Sequence, residues 1–293
     1  MNLTTLILLI LKTSIVLIVL ALGLKATVAD ATSLFRRPNH LVRALLSMNV
    51  VMPLFALALA LSFNLHPAVK IALVALSVSP VPPLLPRKAL KVGGREDYIV
   101  GLLVAMALLA IIVIPVTMKI FERFVGVPLQ MPVLSIASLV LSTILGPLFV
   151  GIVVRMLAPW LAERAARSVG ILGLVLLILS VLPVLFISAR TILSLIGNGT
   201  VLSFAAFALV GLLVGYRFGG PESESRRVLA LATSARHPGV AVAIAHANFP
   251  QEKLVVPAIV LYLIVSGILC ALALARRKRA ESAPTETDKR RAA

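Results

Sequence analysis

Apolar runs of about twenty residues, separated by short polar connections, recur along nearly the whole chain. That length is what an α-helix needs to cross a hydrocarbon core of ~30 Å at 1.5 Å per residue. The pattern predicts spans over residues 3–24, 44–63, 68–90, 98–118, 132–154, 169–188, 200–216, 228–247 and 254–274. The first lacks a basic leading region and exceeds the usual apolar stretch of a signal peptide, so it is read as a retained helix. The expected fold class is all-α: a polytopic membrane protein of about nine transmembrane helices. Residues 1–275 form one membrane domain, and 276–293 a basic cytoplasmic tail whose charged, small and polar composition predicts disorder.

Composition agrees with a chain dissolved in lipid. Sixty per cent of the 293 residues are apolar, well above the usage of water-soluble domains. The formal net charge of +17 does not point to nucleic acid, because the basic residues sit in short loops between spans, where they meet anionic headgroups. Lys25, Arg36, Arg37 and Arg43 follow the first span; Arg87, Lys88, Lys91 and Arg95 the third; Arg155, Arg164 and Arg167 the fifth; Arg217, Arg226 and Arg227 the seventh. The intervening connections are far poorer, which predicts an external N-terminus and a cytoplasmic C-terminus in an inner (plasma) membrane. Cys270 is the only cysteine, so no disulfide framework or zinc site is expected, and no cofactor.

Two spans are interrupted. The third carries Ser77, Ser79, Pro80, Pro82 and Pro83; the eighth carries Thr233, Ser234, Arg236, His237, Pro238 and Gly239. Proline removes a backbone donor and clashes with the preceding turn, so neither helix is expected to run continuously through these points. Broken backbone at membrane depth must be buried in protein or line a wet cavity. Each break falls in the next-to-last span of one half of the chain, the placement of an inverted repeat with its site near the midplane.

Arg236 is the most informative residue. A buried guanidinium needs a partner, yet all eleven acidic residues lie in loops, at span ends or in the tail. Either Arg236 faces a cavity and receives an anion, for which its planar fork is suited, or it bonds to carbonyls freed by the break and pins it. The candidate substrate-binding set is Arg236, His237, Ser234, Thr233, Ser79 and Ser77, with Pro80, Pro82, Pro83, Pro238 and Gly239 as helix-break residues. No catalytic or metal-ligating set is expected. His237 is either a proton carrier or a hydrogen-bonding residue, and so is His246; Lys12, midway along the first span, either lines a pathway or snorkels to the interface.

At these breaks the chain resembles the bile acid:sodium symporter family, within the wider bile acid, arsenite and riboflavin transporter superfamily. Ser79-Pro80-Val81-Pro82-Pro83 with the following turn to Tyr98 is similar to the family's first crossing helix, and residues 227–248 to its second. The resemblance implies a panel domain and a core domain, two broken helices crossing in the core beside a substrate cavity, and sodium-coupled transport. It also implies where the sodium ligands should stand. Where the family carries Ser-Asn after the first break this chain has Leu85-Pro86, and where it carries Glu and then Gln-Asn this chain has Ala232 and then Arg236-His237. Sodium needs oxygen ligands that Ala, Leu and Pro side chains do not supply.

The expected function is therefore secondary transport of a small organic anion, with a proton or no ion favoured over sodium as the coupling partner. The alternative is a receptor or scaffold that keeps the symporter fold without transporting. Catalysis is not expected, because Ser234 and His237 lack an orienting acid.

Overall fold

The computed structural model describes residues 3–281 apart from Val92 and Val127. It is built of helices α1 (Leu3–Gly23), α2 (Val28–Thr32), α3 (Pro38–Leu45), α4 (Met52–Ser62), α5 (Pro67–Val78), α6 (Leu85–Leu90), α7 (Glu96–Val125), α8 (Val133–Val140), α9 (Gly146–Leu157), α10 (Pro159–Ser194), α11 (Thr200–Phe218), α12 (Ser223–Ser234), α13 (Pro238–Asn248) and α14 (Val255–Glu281). Two wider, π-helical segments, Leu46–Val51 and Leu141–Leu145, join α3 to α4 and α8 to α9. Eight segments among the described residues are long and apolar enough to cross a membrane. The interrupted passage through α5 and α6 supplies the ninth.

Most helices outrun the apolar stretches that announced them. The sixth span, expected over 169–188, is the 36-residue α10, about 54 Å long at 1.5 Å per residue and so longer than the hydrocarbon core is thick. Its added first turns contain Trp160, Glu163, Arg164 and Arg167, which belong at the interface. Similarly, α14 runs past residue 275 to Glu281, since Arg, Lys and Ala are strong helix formers and basic groups suit a helix C-terminus. The part of the expected disordered tail over 282–293 lies outside the described residues. The short α2 was not anticipated; Thr27 and Asp30 form a reciprocal capping box that explains it.

Proline by itself does not break these helices. Pro115 lies inside α7 and Pro183 inside α10, both continuous. Interruption occurs where prolines cluster, as in residues 80–83, or where Pro238 stands at the first position of a new helix.

The helices divide into two groups. α1 packs on α9 and α10, which also pack on each other, forming a panel. In the core, α5 packs on α4, α13 and α14, while α11 packs on α12 and α14. The panel is held by close backbone approach: a Cβ on Gly151 would lie 2.6 Å from Leu20 O and 2.7 Å from Gly23 Cα. Without a hydrophobic drive between helices in lipid, such contact between small residues supplies the packing. Gly151→Ala is expected to lower the melting temperature in detergent, at a cost of about 1–3 kcal/mol for overpacking. Gly267→Ala on α14, where a Cβ would meet nothing within 4 Å, should leave it unchanged; equal melting shifts for the two variants would contradict this packing account.

Candidate functional site

The two interruptions meet. α5 ends at Val78, and Ser79 turns the backbone to extended geometry; α12 ends at Ser234, and Ala235 does the same. The entering half of the first broken passage, α5, packs against the leaving half of the second, α13, and α12 approaches α6. Two bonds tie the breaks directly. The His237 N–H donates to Pro80 O at 3.0 Å, and Arg236 donates from Nη1 to Ser79 O at 3.3 Å.

The same guanidinium reaches a third element, donating from Nη2 to Met48 O at 3.1 Å. Proline explains why both carbonyls await a donor. The residues three and four beyond Ser79 are Pro82 and Pro83, neither of which has an N–H. Met48 lies in the π-helical segment Leu46–Val51, where pairing runs to the fifth residue on; that residue is Pro53. Arg236 thus replaces backbone donors removed by prolines on two other elements.

The crossing is closed. Arg236 and His237 are each 1% exposed, and Ser77, Ser79, Thr233 and Ser234 are 0% exposed. Ser79 Oγ donates to Ala75 O and Ser77 Oγ to Val74 O, each at 2.7 Å, so both hydroxyls turn back onto their own helix. Thr233 Oγ1 lies 3.3 Å from Ser47 Oγ, and Ser234 Oγ 3.8 Å from Cys270 Sγ. The Tyr262 hydroxyl donates to Ser234 O, holding the end of α12 against α14. His237 Nδ1 accepts from the Val240 N–H at 3.3 Å, capping α13. This bond assigns the ring proton to Nε2, which is buried and has no partner among the described residues.

The structure therefore gathers Arg236, His237, Ser79 and Pro80 at one point. Thr233 and Ser234 border it through Ser47 and Tyr262, while Ser77 takes no part in the contact. Arg236 does not face a cavity here, contrary to the substrate-facing alternative, because the orphaned carbonyls engage its guanidinium first. Met48, Ser47 and Tyr262 were not singled out from the sequence; Pro53, five residues after Met48, was the available signal. His246 and Lys12 are exposed on α13 and α1.

Among the described residues no carboxylate pairs with Arg236 or His237. Ion pairs there include Arg37–Asp97, Arg95–Asp97 and Lys119–Glu122, all away from the crossing.

A cleft of about 280 Å³ opens between the panel and the core, beside the first break. Its walls come from α1, α6, α10 and Pro83, and Lys25, Arg87, Arg167 and Glu96 stand on it. Arg87 Nη1 donates to Gly170 O at 3.2 Å across this cleft. Three cations, Lys25 after α1, Arg87 on α6 and Arg167 on α10, against one acid, give it a positive balance.

Broken helices crossing at the centre of an all-helical membrane bundle are the architecture of a secondary transporter. The Sodium Bile acid symporter family model matches residues 13–195, and the chain belongs to that family. The matched region includes the first break, the second half of α1 and the rest of the panel, and ends before α11. No curated protein matches the chain.

Arg236→Ala would leave Ser79 O and Met48 O buried without donors, at about 1–3 kcal/mol each. The variant is expected to insert but melt well below the parent in detergent, with Arg236→Lys intermediate because one ammonium lacks the planar fork. An Arg236→Ala protein melting with the parent would remove the pinning role.

Proposed function

We propose that this family member carries a small organic anion without sodium, with the Arg236 guanidinium standing where a coupling cation would otherwise support the crossing. The observation that carries the reading is the pair of bonds from Arg236 to Ser79 O and Met48 O. A fixed positive charge bound by backbone carbonyls does electrostatically what a bound cation does, and it repels a second cation at the same place. The departures at Leu85-Pro86, Ala232 and Arg236-His237 support the same conclusion, since they provide no side-chain carboxylate or amide oxygen.

The anion's charge is assigned to the panel–core cleft, where Lys25, Arg87 and Arg167 converge. Among them Arg87 sits on α6, directly after the first break, so movement of the core against the panel would carry it past the substrate. His237 serves as a helix cap in its neutral form, because protonating Nδ1 would end the bond from Val240. This favours an uncoupled carrier or an exchanger over proton coupling through His237. Basic residues of alternate loops support an inner-membrane orientation with the N-terminus outside.

The alternative of a receptor or scaffold draws on the same closed crossing: a lock that never opens would hold the fold and transport nothing. Uptake decides between them. Proteoliposomes given labelled organic anions under a sodium gradient, a proton gradient or neither are expected to accumulate or exchange an anion saturably and without regard to sodium. Uptake that requires sodium would overturn the substituted-cation reading, and absence of uptake across the anion panel would favour the scaffold. Arg87→Gln with Arg167→Gln is expected to raise the apparent KM for the anion about tenfold, the equivalent of one lost charge-assisted bond of roughly 1.4 kcal/mol. An unchanged KM would place the anion elsewhere.

A further inference from the structure

A second basic recess lies away from the crossing and the cleft, between the α11–α12 connection and α3. Its volume is about 790 Å³, and Arg43, Arg217 and Arg226 stand on it together with Tyr216 and Gly220. None of these arginines enters an ion pair among the described residues, and no acidic side chain lines the recess. Glu222, the acid next to it in sequence, accepts instead from Ser225 Oγ at 2.9 Å.

The recess is preorganised on one side. Arg226 Nε donates to Gly220 O at 2.5 Å, and the Arg226 guanidinium lies 5.8 Å from the centre of the Tyr216 ring. Gly220 has φ +88°, a conformation that favours glycine, and a Cβ there would come within 2.8 Å of Arg43 Nη1. The absence of a side chain at this position lets Arg43 lie against the Gly220 backbone that Arg226 also engages. Arg217 lies in the last turn of α11, so the recess sits where that helix leaves the apolar layer, at headgroup depth, and Tyr216 is an aromatic of the kind that settles there.

We propose that this recess binds a phosphate-bearing group, as presented by an anionic phospholipid headgroup or by free phosphate. Guanidinium groups pair with phosphate oxygens through parallel N–H bonds, and basic pockets between transmembrane helices suit anionic headgroups. Occupancy would tie α3 to the α11–α12 connection. From α3 the chain runs five residues beyond Arg43 to Met48, and through α12 it runs ten residues beyond Arg226 to Arg236. A ligand here therefore braces the two elements whose bond locks the crossing. The proposal concerns binding and does not rest on transport.

The test is the thermal stability of the full-length protein purified in a neutral detergent, with phosphatidylglycerol, phosphatidylcholine or inorganic phosphate added separately. Phosphatidylglycerol is expected to raise the melting temperature and phosphatidylcholine not to. The Arg43→Gln/Arg217→Gln variant should lose more than half of that rise, with Arg43→Lys/Arg217→Lys retaining an intermediate share. A matching rise with inorganic phosphate would assign the site to a soluble phosphate ligand, and a rise with lipid alone would assign it to the headgroup. Lys91→Gln/Arg164→Gln removes two charges that do not line the recess, at the end of α6 and on α10, and should keep the full rise. The proposal is overturned if the two double glutamine variants respond alike, or if neither phosphatidylglycerol nor phosphate stabilises the parent protein.

Discussion

A guanidinium held by backbone carbonyls that prolines have deprived of their donors is the interaction on which the core depends. Placing an arginine at membrane depth costs about 2.5–3.5 kcal/mol on the insertion scale. Hydrogen bonds to a charged group return about 1.5–3 kcal/mol each, and at 3.3 and 3.1 Å the two bonds of Arg236 belong to the weaker part of that range. Cost and return nearly cancel. What the arrangement supplies is position: one side chain fixes Ser79, Met48 and the second break relative to each other, so the two broken helices cross at a defined point.

The same economy of donors and acceptors runs outward from the crossing. The His237 N–H completes Pro80 O, the His237 ring caps α13, and the Tyr262 hydroxyl completes Ser234 O. A bilayer offers no water to satisfy these groups, so each interruption must be answered from within the protein. Around this closed centre, most charge lies toward the ends of the helices, with Lys12 midway along α1 an exception. That charge is gathered in the cleft beside α6 and in the recess beside α11.

Much of this was legible in the sequence. The nine passages follow from apolar run length, and both breaks follow from clustered Pro and polar residues at 77–83 and 233–239. That Arg236 had no acidic partner could be read from where the eleven acids fall. Its actual partners could not, because a carbonyl is present at every position and only three-dimensional pairing reveals which are orphaned. The π-helical register at Met48 was hidden for a related reason: its segment reads as ordinary helix, and Pro53 gains meaning only once the register is known. The cleft required Lys25, Arg87 and Arg167, distant in sequence and carried by the α1–α2 turn, α6 and α10, to converge, which no local pattern encodes. Helix ends were misjudged at α10 and α14 since polar helix formers extend a helix beyond its apolar core.

The central claim is that Arg236 has taken the place of a bound cation in a sodium symporter fold. Equilibrium binding of radioactive sodium to the purified protein addresses it without reference to any substrate. The account predicts no saturable sodium binding at concentrations up to those of extracellular fluid, with choline as the balancing cation. A saturable sodium site would contradict it.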